Sequence, residues 1–153
     1  MENYNKELVD QLNHLITICN DGKYGYETAA QDAESHLLKV MFLTNSVERT
    51  HFVNVLHEEV RKAGGNPEEG GGPLGAIHRA WIDVKTALST KDDKAVLGAC
   101  ITGERAALNA YDDVLEKNYL SAYLRNVLTD QRFNIEEILN KVEAMHEKIS
   151  LTS

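Results

Sequence analysis

Apolar residues recur at intervals of three and four from residue 3 to residue 63 and again from residue 74 to residue 149. That is the period of an amphipathic helix, not the alternation of a half-buried strand. Both prolines, Pro67 and Pro73, and six of the ten glycines fall within Gly64–Gly75, where the two stretches meet. The pattern therefore predicts helices at about 3–34, 36–63, 74–88, 92–118 and 120–149, with Asn20-Asp21-Gly22 as a candidate bend and the glycine-rich stretch as the one strong linker.

The segment 74–88 is about 22 Å long at 1.5 Å per residue, and with the linker before it, it crosses the length of a bundle. Such a crossover lets the second and third long helices run parallel, which a short loop forbids. A single long crossover is the topology of ferritin-like bundles. The halves also repeat. Cys19-Asn-Asp-Gly22-Lys23 matches Cys100-Ile-Thr-Gly103-Glu104 at an offset of 81, and the row Leu37 to Val55 matches Leu120 to Ile138 at an offset of 83. The expected fold is all-α: one ferritin-like four-helix bundle domain over residues 1–153. Hairpin 1 covers about 3–63, the linker and crossover helix about 64–88, and hairpin 2 about 92–149.

Candidate chemistry lies in the polar residues that interrupt the apolar stripes. On the second helix Leu37, Met41, Phe52 and Val55 mark the stripe, with Glu48 on its centre line and His51 less than a quarter-turn away. On the third long helix Glu104 sits in the stripe one turn beyond Cys100. Lys23 holds the matching place on the first, and Gln131 with Asn134 on the fourth. Two buried carboxylates require a metal, a cation or a proton. Glu48-Arg-Thr-His51 has the Glu-x-x-His spacing of di-iron and di-manganese bundles, which need two such motifs and a Glu from each of two further helices. Here Lys23 and Gln131-Arg-Phe-Asn134 stand at the other half, and neither an ammonium nor an amide is a good ligand.

Two readings follow. In the first, Lys23 replaces the metal and pairs with Glu48 and Glu104, His51 and Gln131 complete a hydrogen-bond network, no cofactor is bound and the protein is not an enzyme. In the second, Glu48, His51 and Glu104, helped by Gln131 or Tyr111, hold one Fe, Mn or Zn ion and support metal handling or weak oxidase chemistry.

Charge narrows the partners. With 16 basic and 24 acidic residues the formal charge is -8, and no Lys/Arg run exceeds two residues, which argues against nucleic acid. The longest unbroken apolar run is Val40–Leu43, and the opening Met1-Glu-Asn-Tyr-Asn-Lys lacks the pattern of a secretory signal, so no membrane association is expected. Two cysteines exclude a disulfide scaffold and point to a reducing cytoplasm. Cys19, Cys100 and Tyr111 read as core fillers, Asp92-Asp93 as caps, and His14, His36 and His57 as surface. Glu143-Ala-Met-His146 lies off its helix's stripe and reads as solvated. Gly70-Gly-Gly72 lacks the Lys-Ser/Thr of a phosphate loop and reads as flexible linker.

Four stretches carry a family resemblance: Leu12-Asn-His-Leu-Ile-Thr-Ile-Cys-Asn-Asp-Gly22, Gly64-Gly-Asn-Pro67, Gly75-Ala-Ile-His-Arg-Ala-Trp-Ile-Asp-Val-Lys85 and Gly103-Glu-Arg-Ala-Ala-Leu-Asn-Ala-Tyr111. They resemble the bacterial ferritin-like family known as domain of unknown function 2383. The resemblance covers nearly the whole chain and implies a four-helix bundle with an added crossover helix, no established activity, and a homodimer through exposed parts of the hairpins. Its most specific part is the crossover run His78, Arg79, Trp81, Asp83, Lys85. Helical spacing puts His78, Trp81 and Lys85 on one face, and Trp81 is expected to anchor the crossover to the bundle.

Overall fold

The computed structural model describes residues 2–68 and 76–152. The linker residues Glu69, Gly70-Gly-Gly72, Pro73 and Gly75 lie outside the described residues. Every regular element among the described residues is a helix: α1 (Glu2–Asp32), α2 (His36–Lys62), α3 (Ala76–Ser89), α4 (Asp93–Leu115) and α5 (Ala122–Thr152). Helix α1 runs unbroken through Asn20-Asp21-Gly22, so the candidate bend does not interrupt it.

Local chemistry sets the boundaries. Ser35 caps α2 by accepting from the Leu38 amide, and Asp92 caps α4 by accepting from the Lys94 and Ala95 amides. Helix α2 ends where Gly64 takes φ 87°, a left-handed conformation that glycine adopts without steric cost, and the Gly65 amide reaches back to the Val60 carbonyl.

The core falls into two clusters that show how the helices run. One gathers the start of α1 (Leu12, Leu15, Ile16), the end of α2 (Leu56, Val60), the end of α4 (Tyr111, Val114) and the start of α5 (Leu124, Leu128). The other gathers the end of α1 (Tyr26, Ala29), the start of α2 (Leu38, Phe42), the start of α4 (Val96, Leu97) and the end of α5 (Ile138, Val142), with Trp81, Val84 and Leu88 of α3. Helices α2 and α4 therefore run parallel, each antiparallel to its hairpin partner, and α3 is the crossover. It packs against α1 and α4 at one end of the bundle.

The burial pattern corrects the expected phase of α2. Its buried residues are Leu38, Phe42, Asn45, Ser46, Arg49, Phe52, Val53, Leu56, Glu59 and Val60, whereas Leu37 is exposed and Met41 and Val55 only half-buried. Phe42, Ser46, Arg49, Val53, Leu56 and Val60 stand 82 positions before Leu124, Leu128, Gln131, Ile135, Ile138 and Val142. All twelve are buried. The two hairpins thus match at 82, not 83, and the residue of α2 that corresponds to Gln131 is Arg49. The error has a cause: α2 is apolar on two faces, and Leu37, Val40, Leu43 and Val47 form an outward stripe that obscures the inward one.

Candidate functional site at the bundle waist

Between the two core clusters the interior turns polar. Arg49 of α2 and Glu104 of α4 are both fully buried, and Arg49 Nη2 lies 2.5 Å from each carboxylate oxygen of Glu104. Tyr26 of α1 donates its hydroxyl to Glu104 Oε2 at 2.9 Å. A charge-assisted contact of this kind offsets the desolvation of both ions, which neither could bear alone. Burial opposes the charge on Arg49, but Glu104 more than restores it, so the guanidinium is held protonated even more firmly than usual. Burial, reinforced by Glu104, pushes the Tyr26 phenol well up, so it stays a neutral donor.

Three glycines make room for this layer. A Cβ on Gly22 would come within 2.6 Å of Arg49 Nη1, so the guanidinium occupies space that any other residue of α1 would fill. The Trp81 indole is held between Gly25 of α1 and Gly103 of α4, whose added Cβ atoms would lie 2.3 and 2.7 Å from ring carbons. Its ring meets Tyr26 edge-on at 5.0 Å between centroids. The crossover helix is thus anchored by Trp81, and the anchor touches the residue that holds Glu104.

A second polar row lies toward the other end. Tyr111 donates to Gln131 Oε1 at 2.7 Å and sits 3.2 Å from Cys19 Sγ, while Gln131 Nε2 donates to the Phe52 carbonyl at 3.4 Å. Burial raises the pKa of both cysteines, with Arg49 opposing the rise at Cys19 and Glu104 adding to it at Cys100, so both remain thiols.

Several expected site residues are elsewhere. Lys23 takes no part in the ion pair: its ammonium lies over the Tyr24 ring at 4.9 Å, and only its carbonyl joins the interior, accepting from Ser46 Oγ. Glu48 is half-buried and His51 exposed, because the inward phase of α2 passes through Arg49. His51 and the half-buried Asn134 line a shallow groove of about 180 Å³ with Asp130 and Gln131. Among the described residues no three His, Cys, Asp or Glu side chains come together as a metal would require, so the set Glu48, His51 and Glu104 is not assembled. The interior does not fit a metal centre: both Glu104 oxygens are engaged and the facing group is a guanidinium, which has no lone pair to give.

On the crossover, His78 Nδ1 lies 3.7 Å from Asp21 Oδ2, while Arg79, Asp83 and Lys85 are exposed. Glu143 pairs with Arg105 across α4 and α5. The apolar pattern of the sequence places Tyr26 in the inward stripe of α1 but marks neither its bond to Glu104 nor Arg49. The available signal was the pair Gly22 and Gly103, equivalent in the repeat and both set against large side chains.

A model of the family described as "Domain of unknown function" (DUF2383) matches residues 7–117. The chain belongs to that family. No curated protein matches it. Among solved structures, this DUF2383 chain is similar to a mutant of Mycobacterium smegmatis Dps1, at 14% identity and TM-score 0.75, covering 95% of this chain and 99% of that one. It is also similar to a bacterioferritin-related protein of Bacteroides fragilis described as a dodecameric thioferritin, at 16% identity and TM-score 0.71, covering 97% of this chain and 90% of that one. At such identities the likeness shows the fold: this DUF2383 member is a ferritin-like helical bundle. Among the described residues no helix is long and apolar enough to cross a membrane.

Proposed function

We propose that this protein is a non-enzymatic ferritin-like bundle in which the Arg49–Glu104 ion pair stands where Glu-x-x-His bundles hold a metal centre, and that it works as a self-associating unit, at its smallest a homodimer. The observation that carries the reading is the complete burial of both charges. A guanidinium fixed on the fully buried Glu104 carboxylate leaves neither of its oxygens free as a ligand, and a protonated tyrosine leaves no base near neutrality. The arrangement ties α1, α2 and α4 together and performs no chemistry of its own. Self-association is supported by the outward apolar stripe of α2 and by the dodecameric description of the Bacteroides fragilis neighbour. The two buried free thiols fit a reducing cytoplasm.

The test is metal retention. The untagged protein is incubated with Fe(II), Mn(II) or Zn(II) in turn and the metal kept per chain is measured, alongside Glu104→Ala, Glu48→Ala and His51→Ala. The expected result is no retained ion that depends on Glu104, and Fe(II) oxidation in air no faster than in buffer. About one equivalent per chain, lost in Glu104→Ala or Glu48→Ala, overturns the reading in favour of a metal-handling protein.

A further inference from the structure

Helix α2 presents an apolar stripe to solvent although its opposite face is already in the core. Val40, Leu43 and Val47 are 50%, 56% and 63% exposed, and they line a groove of about 640 Å³ between α1 and α2. An isolated exposed valine needs no explanation, but a row of them along one helix and beside a groove marks an interaction face. Charges flank the stripe. Lys39 lies on its α1 side and Glu48 on the other, and among the described residues neither has an ion-pair partner within the chain.

We infer that this face docks against the same face of a second copy, α2 antiparallel to α2, about a twofold axis passing between Leu43 and Thr44. The inference rests on the self-association proposed above and names its surface and register. A twofold contact is self-complementary, so residues equidistant from the axis face one another. In this register Val40 meets the partner's Val47, and Leu43 meets the partner's Thr44. Lys39 meets the partner's Glu48. The twofold repeats each contact, which gives two cross-helix ion pairs around an apolar centre. The charges lie on opposite sides of the stripe, as a twofold axis through its middle requires. An unrelated partner would not need these two conditions together, and they are what favours a second copy as the occupant. Glu48, left outside the bundle interior by the phase of α2, thereby acquires a partner.

Sedimentation velocity over a wide range of concentration tests the inference, with circular dichroism to establish that each variant is folded. The wild type is expected to dimerise or assemble further, and Val47→Glu to dissociate into monomers. Lys39→Glu and Glu48→Lys are each expected to weaken association about tenfold or more, and the double variant Lys39→Glu/Glu48→Lys to recover it, because the pairs re-form with reversed sign. A wild type that stays monomeric throughout removes both the self-association reading and this face. Association unchanged in Val47→Glu and in both charge reversals leaves self-association standing and refutes the α2 face. Loss in both single reversals without recovery in the double refutes the register.

Discussion

Arg49 and Glu104, 55 positions apart, meet with one guanidinium nitrogen 2.5 Å from both carboxylate oxygens and neither side chain exposed. The pair crosses from α2 to α4, helices that belong to different hairpins, so it joins the two halves of the bundle at its waist. Removing one member strands the other charge in the core. Arg49→Met is expected to cost about 3–5 kcal/mol, and the double variant Arg49→Met/Glu104→Leu to regain most of that. Lys23→Met is expected to stay within about 0.5 kcal/mol of the wild type, since its ammonium is outside the network. Urea midpoints decide: a neutral Arg49→Met, or a severe Lys23→Met, contradicts the assignment of the buried cation.

The glycine clamp on Trp81 has a sign that depends on position. Gly25→Ala drives a methyl group into the indole and is expected to destabilise by about 1–3 kcal/mol. It should also shift tryptophan emission to the red, and Trp81 is the only tryptophan. At Gly98 an added Cβ meets only His146, at 3.7 Å. Gly98→Ala is therefore expected to stabilise by about 0.5–1 kcal/mol through helix propensity, with emission unchanged. Equal effects at the two sites would mean that Trp81 is not held by close backbone approach.

Asp21 carries a pH signature. Burial pushes its carboxyl above the usual carboxylate range, with His78 partly opposing. A carboxyl that holds its proton more tightly when folded favours the fold at low pH, and that contribution fades as pH rises through the raised pKa. Asp21→Asn removes the slope. Its stability relative to wild type is expected to rise between about pH 4 and pH 7, followed by urea unfolding at each pH. A constant difference across that range contradicts the direction.

Tyr26 and Tyr111, both buried, offer an internal comparison. Tyr26 donates to a charged acceptor and Tyr111 to an amide. Tyr26→Phe is expected to cost about 1.5–3 kcal/mol and Tyr111→Phe about 1 kcal/mol. Calorimetric or urea unfolding that reverses this order would show that Glu104 does not depend on the phenol.

The sequence by itself determined the helices, the crossover and the family, because each is encoded in local signals: a three-and-four apolar period, capping residues such as Asp92, prolines and glycines gathered between the hairpins, and the run around Trp81. It also singled out Glu104, because α4 is apolar on one face only and its phase is unambiguous. Only the tertiary structure decided which cation Glu104 meets. Helix α2 carries apolar residues on two faces, and a one-residue change of phase, about 100° of rotation, turns Glu48 out and Arg49 in. Periodicity cannot choose between two apolar faces of one helix. The choice is made by the space between helices, where Gly22 leaves room for a guanidinium, and by the high cost of burying a carboxylate without a cation beside it.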